Sequence, residues 1–195
     1  MSPRALTEQE KNRQYKKLLE RGMDIVISQG VKKVSIEDIT KAAGMSKGLF
    51  YQHFESKEHF MIAVIMDIHE QIMSIAGKIL MNGGDLRGNA RNLLLNLFKM
   101  PEMAFFNKYH NEINELAQSL PENQLYSAEM MEVNMYRKLL IAAGIDVQKI
   151  KPGVVHNFIH IMYMINNSDL MTKEELPKTC ELIIESLIYY IFGGA

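Results

Sequence analysis

Apolar residues recur at three- and four-residue intervals along almost the whole chain, the period of a helix with one buried face. Over residues 8–29 the stripe is Leu18, Leu19, Met23, Val26 and Ile27, set among good helix formers and closed by Gly30. Ser35-Ile36-Glu37-Asp38 then places an acid three residues after a serine, the pattern of a capped helix start. This helix runs to about Ala43, where Gly44 stops it; Ser46 caps a further short helix ending near Phe54. Ser56-Lys57-Glu58 opens a long helix with apolar positions to about Met81.

The clearest turn is Asn82-Gly83-Gly84-Asp85. Beyond it the pattern predicts helices over about 86–99, 101–119 (with Pro101 as its first residue), 122–143 (ended by Gly144), 152–167 and 175–192. No two-residue alternation persists, so no strand is assigned. The fold class is all-α with roughly nine helices.

The chemistry concentrates in Ser35–Phe60, SIEDITKAAGMSKGLFYQHFESKEHF. Two short helices meet at Ala43-Gly44-Met45-Ser46, a four-residue turn with glycine where a left-handed backbone is cheapest. Ile36, Ile39, Ala43, Met45, Phe50 and Phe54 fall where such a helix pair needs apolar contacts, and Ala42 and Ala43 are small where helices cross. The second helix then presents Ser46, Lys47, Gly48, Tyr51 and Gln52, able to bond phosphates or base edges. Ser46 caps amides that also attract phosphate, and Lys47 is a mobile cation within reach of phosphate or a guanine edge. Gly48 removes bulk, while Tyr51 joins a flat ring to a hydroxyl. Lys57 can reach the flanking backbone.

These residues carry a family resemblance. Asp38-Ile39-Thr40, Ala43-Gly44-Met45-Ser46, Lys47-Gly48, Tyr51, His53-Phe54, Ser56-Lys57 and Phe60 resemble the signature of the TetR/AcrR bacterial regulators, over residues 15–62. Thr40 replaces a usual alanine, and Leu49 stands where a small or hydroxylated residue is common. The resemblance implies a three-helix DNA-binding head over 1–55 and a helical ligand-binding and dimerisation body over 56–195. It implies that DNA is met by Ser35, Thr40, Ser46, Lys47, Gly48, Leu49, Tyr51, Gln52, His53 and Lys57. It further implies a homodimer through the last two helices, about 152–192, and a long helix from about Ser56 to Met81 as the lever between head and body.

Charge agrees with that division. Residues 1–60 carry a balance of +3 and the remaining residues −4, within a net charge of −1. A basic end on an acidic body suits phosphate binding at one end only. No run approaches 18 uninterrupted apolar residues, so no membrane is expected. The polar N-terminus lacks the apolar stretch of a secretory signal, and the single Cys180 cannot form an internal disulfide; a cytoplasmic setting is the expectation. The chain has no HExxH, nucleophile elbow or phosphate loop, which argues against an enzyme, and no cofactor is expected.

Most of the 15 methionines lie in the body, where adaptable side chains suit either core filling or a pocket for an apolar effector. Met66, Met103, Phe106, Tyr109, Met131, Met135, Phe158 and Met162 are the candidate lining. Glu112, Glu115, Glu129 and Glu132 are the acids a cationic or neutral apolar effector would bring into question. His156 and His160 share a helix face, but without an adjacent acid or cysteine they read as core or interface residues, and no metal site is assigned. Cys180 reads as an inert buried thiol. Leu182, Ile183, Leu187, Ile188, Ile191 and Phe192, widened by Tyr189 and Tyr190, form the stripe that a second copy would cover. The expected function is a dimeric repressor of a palindromic double-stranded operator, released by a small molecule; an activator or architectural DNA binder without ligand is the alternative.

Overall fold

The computed structural model describes residues 7–193, so the first six residues of the polar N-terminus lie outside the described residues. Among the described residues there are ten α-helices, two 3-10 turns and no strand. The helices are α1 Glu8–Gln29, α2 Ile36–Ala43, α3 Lys47–His53, α4 Lys57–Leu80 and α5 Leu86–Asn96, then α6 Ala104–Lys108, α7 His110–Ser119, α8 Glu122–Ala142, α9 Pro152–Asn166 and α10 Leu176–Phe192.

Local chemistry sets the boundaries. Thr7 and Glu10 make a reciprocal capping box at the start of α1, and Ser35 and Asp38 make another at α2. Gly44 ends α2 in the left-handed region at φ 62°, as the turn to α3 requires. Asp85 caps α5 by accepting from the amides of Arg87 and Gly88.

The helix expected over 101–119 is instead broken. It begins as a 3-10 turn at Pro101–Met103, continues as α6, and breaks at Tyr109 before α7. The break lets the two parts serve different cores. Phe105, Phe106 and Tyr109 are buried with the second compact unit, whereas Asn111–Leu120 belongs to the first.

The chain divides into two compact units. The first holds the described residues up to Asp67 together with Asn111–Leu120; the second holds Ile68–His110 and the chain from Pro121 onward. Thus α4 supplies residues to both. Its most apolar 18-residue stretch has mean hydropathy 1.3, enough on length and composition to cross a membrane, yet 50% of it is buried inside the fold, as in a core helix.

In the first unit Leu18, Val26, Ile39, Phe50, Phe54 and Phe60 are buried to 1% exposure or less. Phe54 lies at the centre of an aromatic cluster, 5.2 Å from Tyr15, 5.4 Å from Phe50 and 5.0 Å from Phe60 between ring centroids. At Gly22 of α1 an added Cβ would stand 2.3 Å from the Phe60 ring, so α1 packs there only with glycine. Of the two alanines expected at a crossing, Ala43 is buried and Ala42 is exposed. Ile27, expected in the stripe of α1, is 43% exposed.

In the second unit α5, α8, α9 and α10 enclose Leu94, Leu140, Val155, Met162, Leu187 and Ile188. Part of the α10 stripe is therefore consumed within the chain. Leu182 and Tyr189 stay exposed on α10, as do Ile161 and Met164 on α9.

Candidate functional site

The turn between α2 and α3 fixes what α3 can show. Phe50 and Phe54 anchor one face in the core, and Ile39 and Ala43 of α2 pack in the same unit. With those residues inward, Lys47, Gly48, Tyr51 and Gln52 are exposed, and Leu49 is half-buried. Ser46 accepts the Leu49 amide as the cap of α3. Lys47 Nζ lies 3.0 Å from Glu37 on α2, an exposed pair that solvent screens.

Gly48 has a particular property. A Cβ there would meet nothing of the protein nearer than Ser46 Oγ at 3.8 Å. Glycine inside a helix costs about 1 kcal/mol relative to alanine, and the chain's own packing gives no reason for it. The bare backbone instead leaves room for something approaching from outside.

Three of the ten expected DNA contacts are tied down within the unit. Thr40 is buried and its hydroxyl donates to the Glu37 carbonyl, so its side chain serves packing of α2. His53 is half-buried, with Nε2 3.4 Å from Gln14 Oε1, and burial lowers its pKa below the ordinary 6.5. The ring is therefore neutral at pH 7. Lys57 donates from Nζ to the Lys32 carbonyl at 2.9 Å, closing the base of α4 onto the α1–α2 loop. Ser35 is occupied as the cap of α2 but exposed.

That loop supplies what the motif reading missed. Lys32 and Lys33, with Lys47 and Lys57, line an open depression together with Ser35 and Tyr51. Four lysines around one exposed phenol make a cationic face, with Glu37 paired to Lys47 and Glu115 to Lys32. The signal was a pair of adjacent lysines in a short interhelical loop, outside the helices that carry the motif. Lys32 is further held by Glu112, which accepts its amide at 2.8 Å, and by an ion pair with Glu115. Two of the four acids considered for the effector thus support the head instead.

The second unit contains an apolar cavity of about 80 Å³. It is bounded by α4, α5, α8, α9 and α10, and no polar atom is exposed in it. Leu93, Leu97, Tyr136, Ile159 and Leu187 are among its walls. None of the eight residues proposed for a pocket lines it. Met103, Phe106, Tyr109, Met135 and Met162 are buried elsewhere in the second unit, Phe158 is half-buried and Met131 is exposed. Met66 is buried but belongs to the first unit.

Beside the cavity is a polar cluster. Glu132 of α8 accepts from or pairs with two histidines: His156 Nε2 of α9 stands 3.0 Å from Oε2, and His69 Nδ1 of α4 stands 3.1 Å from Oε1. Burial alone would raise the Glu132 carboxyl, but the hydrogen bond from His156 and the approach of His69 outweigh it, bringing the group from 4.5 down to about 2. The same bond raises His156 above 6.5 against the effect of burial. The sequence around His156 offers no adjacent acid; the structure brings one from α8. Cys180 is half-buried, with the Asn166 amide 3.5 Å from Sγ.

Residues 18–64 match the model of the bacterial regulatory proteins of the tetR family. Over these residues the chain is similar to the TetR-family helix-turn-helix domain. The matched stretch spans α1 to the start of α4, the elements that frame the exposed face of α3. The transcriptional repressor DhaR of Mycobacterium sp. (strain GP1) is 38% identical over 55 residues, 28% of each chain. The chain spans about a quarter of the length of the curated relatives it matches at this level. Outside the TetR-type head the likeness is one of fold. A TetR transcriptional regulator from Rhodococcus sp. RHA1 has a TM-score of 0.64 at 17% identity, covering 93% of this chain and 97% of that one. FadR of Bacillus subtilis, solved in complex with stearoyl-CoA, has a TM-score of 0.51 at 15% identity, covering 93% and 100%.

Proposed function

We propose that the protein is a dimeric transcriptional repressor that holds a palindromic operator and lets it go when an apolar small molecule enters the second unit. The observation that carries this reading is the outer face of α3. Lys47, Tyr51 and Gln52 surround a glycine that internal packing does not require, and further lysines flank them. Such a surface matches the close approach of a duplex, with cations for phosphate and a ring and amide for base edges.

The remaining parts of the reading have separate supports. Leu182, Tyr189, Ile161 and Met164 leave an apolar face on α9 and α10 for a second copy, and two copies are needed to meet two half-sites. The cavity supports an apolar effector, although at about 80 Å³ it must widen, since drug-sized ligands occupy roughly 300–1,000 Å³. The effector's leverage is its differential affinity for the two conformations. The repressor DhaR and the acyl-CoA complex of FadR fit repression and ligand binding. A regulator of this kind works in the cytoplasm.

The test uses substitutions with opposite signatures. Gly48→Ala is expected to stabilise α3 by about 0.5–1 kcal/mol while weakening operator binding at least tenfold. Lys47→Ala should reduce the salt slope of binding by about one phosphate contact, and Tyr51→Ala should weaken binding without altering oligomeric state. Fluorescence anisotropy with a labelled operator and thermal unfolding of the same samples read both quantities. Unchanged operator affinity in all three variants would remove α3 as the reading helix.

A further inference from the structure

The polar cluster beside the cavity accounts for much of the body's titratable chemistry. Glu132 is in contact with His69 and His156, and the His160 ring lies 5.7 Å from that of His156, one turn along α9. Aromatic rings enclose the group: Phe106 stacks on His69 at 4.5 Å, and Tyr136 meets His156 edge-on at 5.8 Å. Tyr136 is also a wall of the apolar cavity, as are Val155 and Ile159, the sequence neighbours of the two α9 histidines. Cavity and cluster thus share a partition made of one tyrosine ring and one face of α9.

Two features show that the cluster is incomplete. His69 Nδ1 is buried without an aligned hydrogen bond, although it stands 3.1 Å from the carboxylate. A buried imidazole nitrogen in that condition forgoes a hydrogen bond that a donor could supply. Glu132 and His69 are each about one-fifth open, at 22% and 24% exposure, and His160 lies at the exposed rim. A group entering from outside can reach them.

Resting on the effector reading above, we propose that the effector is an amphiphile whose cationic nitrogen is held by Glu132 and His69 while its apolar part fills the cavity behind Tyr136. The sign follows from charge. The 3.0 Å contact between Glu132 and His156 favours the protonated imidazole, which balances the carboxylate within the cluster. An arriving ammonium can replace that proton: the carboxylate keeps one positive partner, the imidazole becomes neutral, and no net charge is added to the interior. An arriving carboxylate would instead need a second protonated histidine. His69 faces the same Glu132, while His160 and His156 would repel each other as neighbouring cations. The surrounding rings favour a cation as well. Glu129 of α8, which acts on both α9 histidines, adds negative field from the same helix. Tyr163 and His110, joined at 3.2 Å, extend the polar chain. Among the described residues no three side chains converge as metal ligands, so an organic cation fits the geometry better than a metal ion.

The proposal makes ligand affinity a function of pH with a definite direction. Below the His156 pKa each bound cation must release one proton, so affinity rises by up to tenfold per pH unit and then levels off. Calorimetric titration of the full chain with n-octylammonium, octanoate and 1-octanol, from pH 5 to 8, tests this. The ammonium is expected to bind at least tenfold more tightly than the other two at pH 7, with affinity increasing with pH. Glu132→Gln should abolish that preference while keeping the binding of 1-octanol; should this variant fail to fold, the pH profile of the unmodified chain decides. Equal binding of all three probes, or octanoate binding that tightens as pH falls, overturns the cationic headgroup but leaves an apolar effector in place. If none of the three binds, the effector cavity itself is refuted and the headgroup falls with it. Stabilisation by zinc ion alone, with all three probes silent, overturns the proposal in favour of a metal site.

Discussion

Replacing Phe54 with alanine is expected to cost about 3–5 kcal/mol, the usual range for removing a buried phenyl ring. Phe54 is 1% exposed and its ring meets Tyr15, Phe50, His59 and Phe60, so the loss would empty the centre of the first unit. The residue also ends α3 and turns the chain toward α4 with an extended backbone. Thermal unfolding by circular dichroism should show a midpoint lowered by roughly 10 °C, since each kcal/mol shifts a chain of this size by about 2–4 °C. Phe54→Leu, which keeps most of the volume, should lose less than half as much. Equal losses in the two variants would mean that the ring packs loosely and that α3 is positioned by something else.

Acid should weaken the second unit through Glu132. Its carboxyl titrates at about 2 in the folded chain against 4.5 ordinarily, so the folded state binds its proton less readily than the unfolded state does. A depressed carboxyl of this kind stabilises fully above pH 4.5, and its contribution disappears as pH falls toward 2. The shift corresponds to stability on the order of 3 kcal/mol. His156 moves the other way: its pKa is raised, so its contribution is complete below 6.5 and is lost as pH climbs through the folded value. The two describe one ion pair, which is therefore strongest between about pH 4.5 and 6.5. Urea unfolding of the unmodified chain and Glu132→Gln across pH 3–8 measures it. The difference between them should be largest near pH 5–6 and shrink toward both extremes; a pH-independent difference would show that the pair is not ionised.

Local signals carried most of the helix boundaries. A serine with an acid three residues on marks α2 because both partners are adjacent in sequence, and Gly44 marks the turn because no other residue reaches φ 62° as cheaply. The faces of α2 and α3 were legible for the same reason: Ile39, Phe50 and Phe54 repeat with the helix and are buried. What failed to appear depended on distant partners. The break at Tyr109 arises because Phe105 and Phe106 are buried in one unit while the residues after His110 belong to another, and periodicity within 101–119 does not distinguish these destinations. Thr40 looks like a hydroxyl available to DNA, yet its hydroxyl bonds to the preceding turn of α2. His69 gave no signal at all. It is an isolated histidine in an apolar helix, and its meaning comes from Glu132, more than sixty residues away. Likewise, methionine content pointed to an adaptable interior without showing which side chains border the cavity, and the cavity walls are chiefly leucine and isoleucine.

The central claim is that α3 and its flanking lysines read duplex DNA as part of a dimer. It is tested most directly by selecting bound sequences from a random duplex pool with the purified full chain, then measuring affinity for the selected sequence across salt concentrations. The account predicts a two-fold symmetric consensus whose half-sites lie about one helical turn, or a multiple of it, apart. It also predicts affinity that falls steeply as salt rises, as phosphate contacts by several lysines require. Folded protein that enriches no sequence at low salt, or binds every duplex equally, would contradict it.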